Sequence, residues 1–540
     1  VKTPLRDQLI DSIKSGRMDR REVLRLSALL GLGAGAAACA PTGGGPQTLR
    51  IATIVTDVKD VHANSAGGFS LCSPVMDFLC TVDARGVAQP ALMERWSASD
   101  DLRTWTFNLR RDARWRKGGP LTADQVLWNW RRWVDPKVGS AYLGYVTAYL
   151  LKREIHNRKP GDKGPRETWV PWDANMLEKV DDYTIRVNLK EPSVTVAEDL
   201  FNASGLIADP EEDGQFHAGC NGTGPFEVVE YRVDDISVYR AREGSWRGRP
   251  RVDKLEFVHT GGDQAVIAAG LISNQIQGVL TMSPENALLF KDSPDIRLYS
   301  IPSAATELAR VHCDVKPFDD ARVRRAMRLA VDPAQAVKLI LGGWGTMGQH
   351  SHVSPSHPDH GPEVPMGVDI AEARRLMAQA GLAKGFKTKI VASSGIAAAV
   401  KAAQVLSQMW SEIGIDCAIQ SMPNELYTTH WREFPLSITG WGHRPLAIMT
   451  MSLCYRTGSL WNESHYSNPA VDALIDKAQR VLDPRERAPL IGQVQRLLQE
   501  DGPLIQPFWI PSTAAFHRSV NGVKPHPMYY YQAEQIGFAA

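Results

Sequence analysis

The chain has 540 residues, 43% of them apolar, with 61 basic and 60 acidic side chains and a formal net charge of +1. That length is too great for one hydrophobic core and predicts two or three domains. The near-neutral balance excludes the electrostatic footprint of a nucleic-acid binder. Past residue 38 no apolar run reaches the roughly 20 residues of a membrane helix.

Arg20 and Arg21 precede an apolar run from Leu26 to Ala38, which ends at Cys39. A basic flank, about 7 to 15 apolar residues and small residues at a processing point make up a bacterial export signal. The paired arginines look like a twin-arginine signal, which implies export after folding. Ala36-Ala37-Ala38-Cys39 resembles a lipoprotein processing box in which Cys39 is acylated, although Ala36 stands where a large aliphatic residue is usual. The glycines from Gly31 to Gly35 do not form a nucleotide loop, because no strand precedes them. Residues 1–38 are therefore expected to be an export signal and residues 39–47 a Gly/Pro tether. Removing the signal takes away seven basic and four acidic residues and leaves a net charge of −2.

Order is expected to begin at Leu49, in a strand where Leu49, Ile51 and Thr53 alternate with Arg50, Ala52 and Ile54. Trp105, Phe107 and Leu109 have period two and predict another strand. Thr122 and Gln125 form a capping box for a helix with Val126, Trp130, Trp133 and Val134 on one face. Residues 152 to 174 are polar and proline-marked and read as a surface insertion, followed by a strand from Tyr183 to Leu189. Phe226 to Phe257 is β-rich with a turn at Asp234-Asp235. Its entry, Asn221 to Phe226, lacks the Lys-Ser/Thr of a phosphate loop and reads as a backbone turn. From about residue 300 strands and helices alternate. The run of strand Lys387–Ala392, helix Ile396–Ile413 and strand Ile415–Ser421 predicts a parallel βαβ unit, and Asn468-Pro469 starts a later helix. A β-rich block, an α/β block and a returning segment predict two lobes with a ligand cleft between them.

Cys72, Cys80, Cys220, Cys313, Cys417 and Cys454 show no zinc spacing and are expected as buried thiols, the close pair Cys72 and Cys80 excepted. His350, His352, His357 and His360 crowd one loop with Asp359, but the spacing is irregular and broken by Pro355 and Pro358. A solvated loop is expected there rather than a metal centre. No GxSxG, HExxH or comparable catalytic motif occurs, so no enzyme and no cofactor is expected.

Several segments together are similar to one family. They are Ala91-Leu92-Met93-Glu94-Arg95-Trp96 with Trp105 to Arg110, Gly119 to Val126, Gly222 to Phe226 with Trp246 to Pro250, Phe318 to Ala326, and Tyr466 to Pro469. In this order they resemble the large solute-binding proteins of ATP-binding-cassette importers, the peptide/nickel/opine class often called family 5. The resemblance covers about residues 48 to 530. It implies an α/β, two-lobed periplasmic-binding-protein-like fold of the large type II kind, with an extra subdomain in the first lobe. It divides the chain into lobe I (48–299, with the subdomain at about 95–210), lobe II (300–510) and a return to lobe I (511–540). It further implies capture of a small-molecule or peptide ligand, delivery to permease subunits, a monomer outside the cytoplasm, and membrane contact only through a lipid anchor.

Peptide-binding members have a Trp followed closely by an Asp that pairs with the ligand ammonium group. Here Trp441 is followed by Gly442, His443 and Arg444, and no Asp or Glu occurs from Phe434 to Asn462. Either Arg444 offers a bidentate fork to an anionic or hydroxyl-rich solute, or it faces solvent or an internal acid and another lobe supplies the anchor. Trp441, His443 and Arg444 are the expected ligand contacts from the second lobe. Ser65, Gly67, Gly68 and Phe69, in a glycine-bearing loop, are those from the first.

Overall fold

The computed structural model describes residues 47–63, 66–156, 167–362 and 366–539. The expected export signal, the tether up to residue 46, Cys39 and Ser65 lie outside them.

Strand β1 (Thr48–Thr53) is followed by helix α1 (Ala66–Cys72), β2 (Thr104–Leu109), α2 (Ala123–Val134), α3 (Tyr142–Leu150) and β3 (Thr184–Asn188). Next come β4 (Phe226–Arg232), β5 (Ile236–Ala241), β6 (Lys254–His259), the short β7 (Gly278–Val279) and the long β8 (Ile296–Val311). The chain then supplies β9 (Phe386–Ser393), α4 (Ala397–Ser411), β10 (Ile415–Met422), β11 (Leu436–Trp441), α5 (Ala447–Cys454) and β12 (Phe508–His517). Shorter elements are given by range.

One twelve-stranded sheet runs in the order β4-β5-β6-β1-β7-β12-β8-β11-β9-β10, with two short strands beside that path. β1 lies between β6 and β7, parallel to both. Cover on both of its faces explains why Ala52 is buried alongside Leu49 and Ile51, against the alternation expected for a half-exposed strand. In the second half β9, α4 and β10 form the expected parallel βαβ unit, and Gly414 at φ +81° ends the helix in a conformation that suits glycine.

β8 joins the two halves. Its residues Ile296 to Ile301 pair with β12 and Thr306 to Val311 pair with β11, with a register irregularity between Ile301 and Ala305. The boundaries expected near residues 300 and 510 therefore fall inside continuous strands. Separate cores sit on either side. One gathers Leu49, Ile51, Tyr239 and Phe257, and another gathers Val311, Ile390, Leu406 and Trp410. A third core belongs to the inserted subdomain, where Trp105 and Phe107 of β2 meet Trp130 and Trp133 of α2 and Ile185 of β3. The capping box at the start of α2 is present, the Gln125 side chain accepting the Thr122 N–H at 2.8 Å.

Three expectations need correction. Residues 152 to 174 are not a plain surface insertion, because Leu151–Ile155 and Glu167–Pro171 pair as an antiparallel hairpin; residues 157–166 lie outside the described ones. Cys72 and Cys80 are free, as are the other four described cysteines. They face different cores, Cys72 that of β1 and Cys80 that of the subdomain, where its thiol donates to the Ala197 carbonyl at 2.8 Å. Gly68 and Phe69 lie in α1 rather than in a loop. Burial of Phe69, Leu71 and Cys72 on that turn outweighs the low helix propensity of glycine. The turn at Asn221 to Phe226 is as expected, and the Gly224 and Phe226 N–H groups are bonded to the Val75 and Pro74 carbonyls.

Candidate functional site

A cavity of about 610 Å³ lies between the two halves, within the usual range for small-ligand sites. Ala52 to Ile54 at the end of β1, Phe69 of α1, Phe201 to Ala203 and Tyr529 line it from one side. Gly442 and His443, just past β11, line it from the other, and Tyr145 of α3 lines it as well. The lining mixes aromatic and aliphatic groups with hydroxyls and amides such as Thr53, Thr260 and Asn202. That mixture suits an organic solute held by a few directed hydrogen bonds.

The structure thus brings Phe69 and His443 together from distant parts of the sequence. The Nδ1 of His443 accepts the Ala304 N–H at 2.9 Å. Burial holds the ring well below its ordinary pKa, so it is neutral, carries its proton on Nε2 and offers that N–H as a donor. Gly68 is buried beside Phe69 in α1. Gly67 belongs to the same helix, and Ser65 lies outside the described residues.

Trp441 and Arg444 are not among the described residues lining the cavity. The Trp441 Nε1 donates to Glu463 at 2.8 Å, and Glu463 also pairs with Arg310 at 3.2 Å. The Arg444 guanidinium lies 4.9 Å from the Trp441 ring centroid and 5.5 Å from those of Tyr145 and Trp461. It is 8% exposed, donates to the Gly442 carbonyl at 3.1 Å, and leaves its Nε without a hydrogen-bond partner. Arg444 therefore does not face solvent. Burial raises Asp199 to about 7, and the Arg444 charge acts against that rise. Asp199 lines a second cavity of about 300 Å³ between α3 and α5.

The histidine loop is not solvated. His350, His352, His357 and Asp359 are all 3% exposed or less. Asp359 accepts the N–H groups of Ala447 and Ile448 at 2.8 and 3.3 Å and pairs with Arg487 at 3.1 Å. It caps α5 from a distant loop, which satisfies the exposed amides of that helix start and buries the loop with it. His352 bonds the Tyr455 hydroxyl at 2.9 Å and packs 4.8 Å from Trp441. Among the described residues, the trio with potential ligand atoms within 4.8 Å of one another is His312, Asp314 and His465, not the four-histidine loop.

Two acids escaped the sequence reading. Glu463 directly follows the stretch without acids, and only the fold returns it to Trp441. Glu307 lies on β8 opposite Gly440 of β11. Glu307 and Gly440 lie more than 130 positions apart in the sequence, so no local pattern points to their pairing.

A family model described as bacterial extracellular solute-binding proteins, family 5 middle, matches residues 87–459. The dipeptide-binding protein DppE of Bacillus subtilis is 24% identical over 481 residues, covering 84% of this chain and 85% of that protein. Di/tripeptide-binding protein 2 of Pseudomonas aeruginosa is 26% identical over 560 aligned positions, covering 95% and 98%. Among solved structures, AgaA of A. tumefaciens R10 in complex with agropinic acid superposes with a TM-score of 0.75 at 18% identity, covering 91% of this chain and 99% of that one. The large two-lobed fold is thus shared with solute receptors, and this chain belongs to family 5 of the bacterial extracellular solute-binding proteins.

Proposed function

We propose that the receptor captures a short peptide between its lobes and presents it to the permease of an importer, without turning it over. The observation that carries this reading is the 610 Å³ cavity walled by both halves, with His443 in its lining. Its size and mixed lining suit a solute of a few residues, and the named relatives bind di- and tripeptides. Residues 48–299 with 511–540 would act as one lobe and 300–510 as the other. Phe69 and His443 would touch the ligand, while Trp441 and Arg444 would support the wall. Ligand contacts that exist only in the closed form favour closure. The same reading makes residues 1–38 the twin-arginine export signal and the acylated Cys39 the anchor of a monomer held outside the cytoplasm.

Thermal unfolding against a panel of di- and tripeptides tests the cargo. A ligand at a hundredfold excess over its Kd adds about 2.7 kcal/mol of stability, a clear rise in Tm. Stabilisation by opines or sugars and by no peptide would replace this reading with a second one. That alternative is favoured by the missing acid after Trp441. Intact mass of the membrane-bound form tests the anchor, since an acylated Cys39 adds the mass of its lipid.

A further inference from the structure

We propose that His312, Asp314 and His465 form a zinc site on the second half of the molecule, at the end of β8 remote from the cavity. The inference does not depend on the receptor reading, since the described residues lining the cavity include none of the three.

The strand register places the trio. β8 and β11 are antiparallel, with Thr306 opposite Trp441 and Val311 opposite Leu436. Trp441 directly precedes the cavity-lining Gly442, so Val311 lies roughly 17 Å away along the strand, at about 3.4 Å per residue. His312 and Asp314 follow Val311 at that far end, and His465 reaches them from a distant loop. Hydrogen bonds hold the two segments in register. The Cys313 N–H donates to the Ser464 carbonyl at 2.8 Å, which ties the residue between two of the ligands to the neighbour of the third. The Asn462 side chain fixes the loop, accepting the Tyr466 N–H at 3.0 Å and donating to the Tyr466 carbonyl at 2.7 Å.

The donor set is that of a zinc site. One atom from each side chain lies within 4.8 Å of those from the other two. The imidazole centroids are 4.2 Å apart, and Nδ1 of His465 is 2.9 Å from the Asp314 carboxylate. Ligand atoms around a tetrahedral zinc are roughly 3.3 Å apart, given bonds of about 2.0–2.1 Å. The Asp314 and His465 side chains, 59% and 47% exposed, can turn to close the difference. His312 is the fixed member. It is 5% exposed, and its Nε2 lies 3.0 Å from the Arg432 carbonyl, which only an N–H satisfies. That leaves the lone pair on Nδ1, the arrangement by which a backbone carbonyl orients a metal-bound imidazole. Arg310, the cation nearby, is neutralised by Glu463. Two imidazoles and one carboxylate suit zinc, with water completing the tetrahedron on the exposed side. The metal replaces the proton that His465 shares with Asp314 and clamps the loop that carries Glu463, the acceptor of the Trp441 N–H.

The competing role is a plain His465–Asp314 pair beside a stacked ring, which zinc would not strengthen. ZnCl2 titrated calorimetrically into the untagged, metal-stripped protein, with Tm measured in parallel, separates the two. The wild type should take up one equivalent saturably, and zinc at a hundredfold excess over its Kd should raise Tm by about 2 °C. Ca2+ and Mg2+, which take oxygen ligands, should leave Tm unchanged. His465→Ala and Asp314→Ala should each weaken zinc binding at least about tenfold. An unchanged metal-free Tm shows that these variants fold, as expected at exposed positions. No saturable uptake by the wild type, less than threefold weakening in either variant, or equal stabilisation by Ca2+ overturns the inference and leaves the receptor reading intact. Failure of the peptide panel overturns that reading and leaves the zinc site standing.

Discussion

Two ionisable residues three positions apart on β8 have opposite fates. Arg310 is fully buried and saturated: it pairs with Glu463 and donates to the carbonyls of Phe434 and Trp431. Glu307 is partly buried and has no partner among the described residues. Arg487 with Asp359 and Arg328 with the carbonyls of Gln499 and Gly502 are also held by partners, although Arg487 Nη2 and Arg328 Nε have none among the described residues. Charges that hold the second lobe together come with their partners. Glu307 does not, which separates it from the charges built into the scaffold.

The strongest way to break this contrast is Arg310→Ala. It leaves Glu463 buried without its cation and should cost about 3–5 kcal/mol in urea unfolding. A loss below about 1 kcal/mol would show that the pairing is incidental. Asp359→Ala should cost about 2–4 kcal/mol, because it uncaps α5 and strands Arg487 together. Glu307→Gln should act in the opposite direction, stabilising the ligand-free protein by about 1–3 kcal/mol near pH 8.

pH sharpens the comparison because the groups have opposite signs. The folded-state pKa of Glu307 lies at about 8, above its ordinary 4.5, so the folded form holds an extra proton between those values. Its contribution to stability is present near pH 5 and is lost as the pH rises through about 8. Glu198 and Asp199, both raised to about 7, act in the same sense. The histidines behave differently. Burial lowers His350 and His352 to about 3 and His357 to about 4. Their contribution is complete above pH 6.5 and is lost as the pH falls towards 4. Stability against pH should therefore show a shoulder on each side, with Glu307→Gln flattening only the alkaline one and His352→Gln only the acidic one. The smallest effect is expected at the exposed Lys387–Asp416 pair, 3.5 Å apart, where Asp416→Asn should leave the urea midpoint unchanged.

What the sequence disclosed follows the range of the interactions. The helix at Ala123, the parallel unit from Phe386 to Met422 and the turn at Gly222 were legible, since each depends on periodicity or capping within a few residues. The family resemblance pointed to His443 as an expected ligand contact, and His443 is among the residues lining the cavity. Glu307 was not, because its meaning comes from a strand pairing with Gly440. The histidine loop misled for a related reason. Polar residues broken by prolines read as solvated, yet Asp359 reaches the start of α5 and Arg487, and the loop is enclosed by that reach.

The bond from the Ala304 N–H to His443 has a mechanical consequence. Ala304 sits in the irregular stretch where β8 passes from one half to the other. A bend there would shift the amide that fixes the imidazole's tautomer, and with it the N–H of His443. Opening of the lobes and loosening of that bond would then be one movement, so a permease that pries the lobes apart would need no separate trigger to take the cargo.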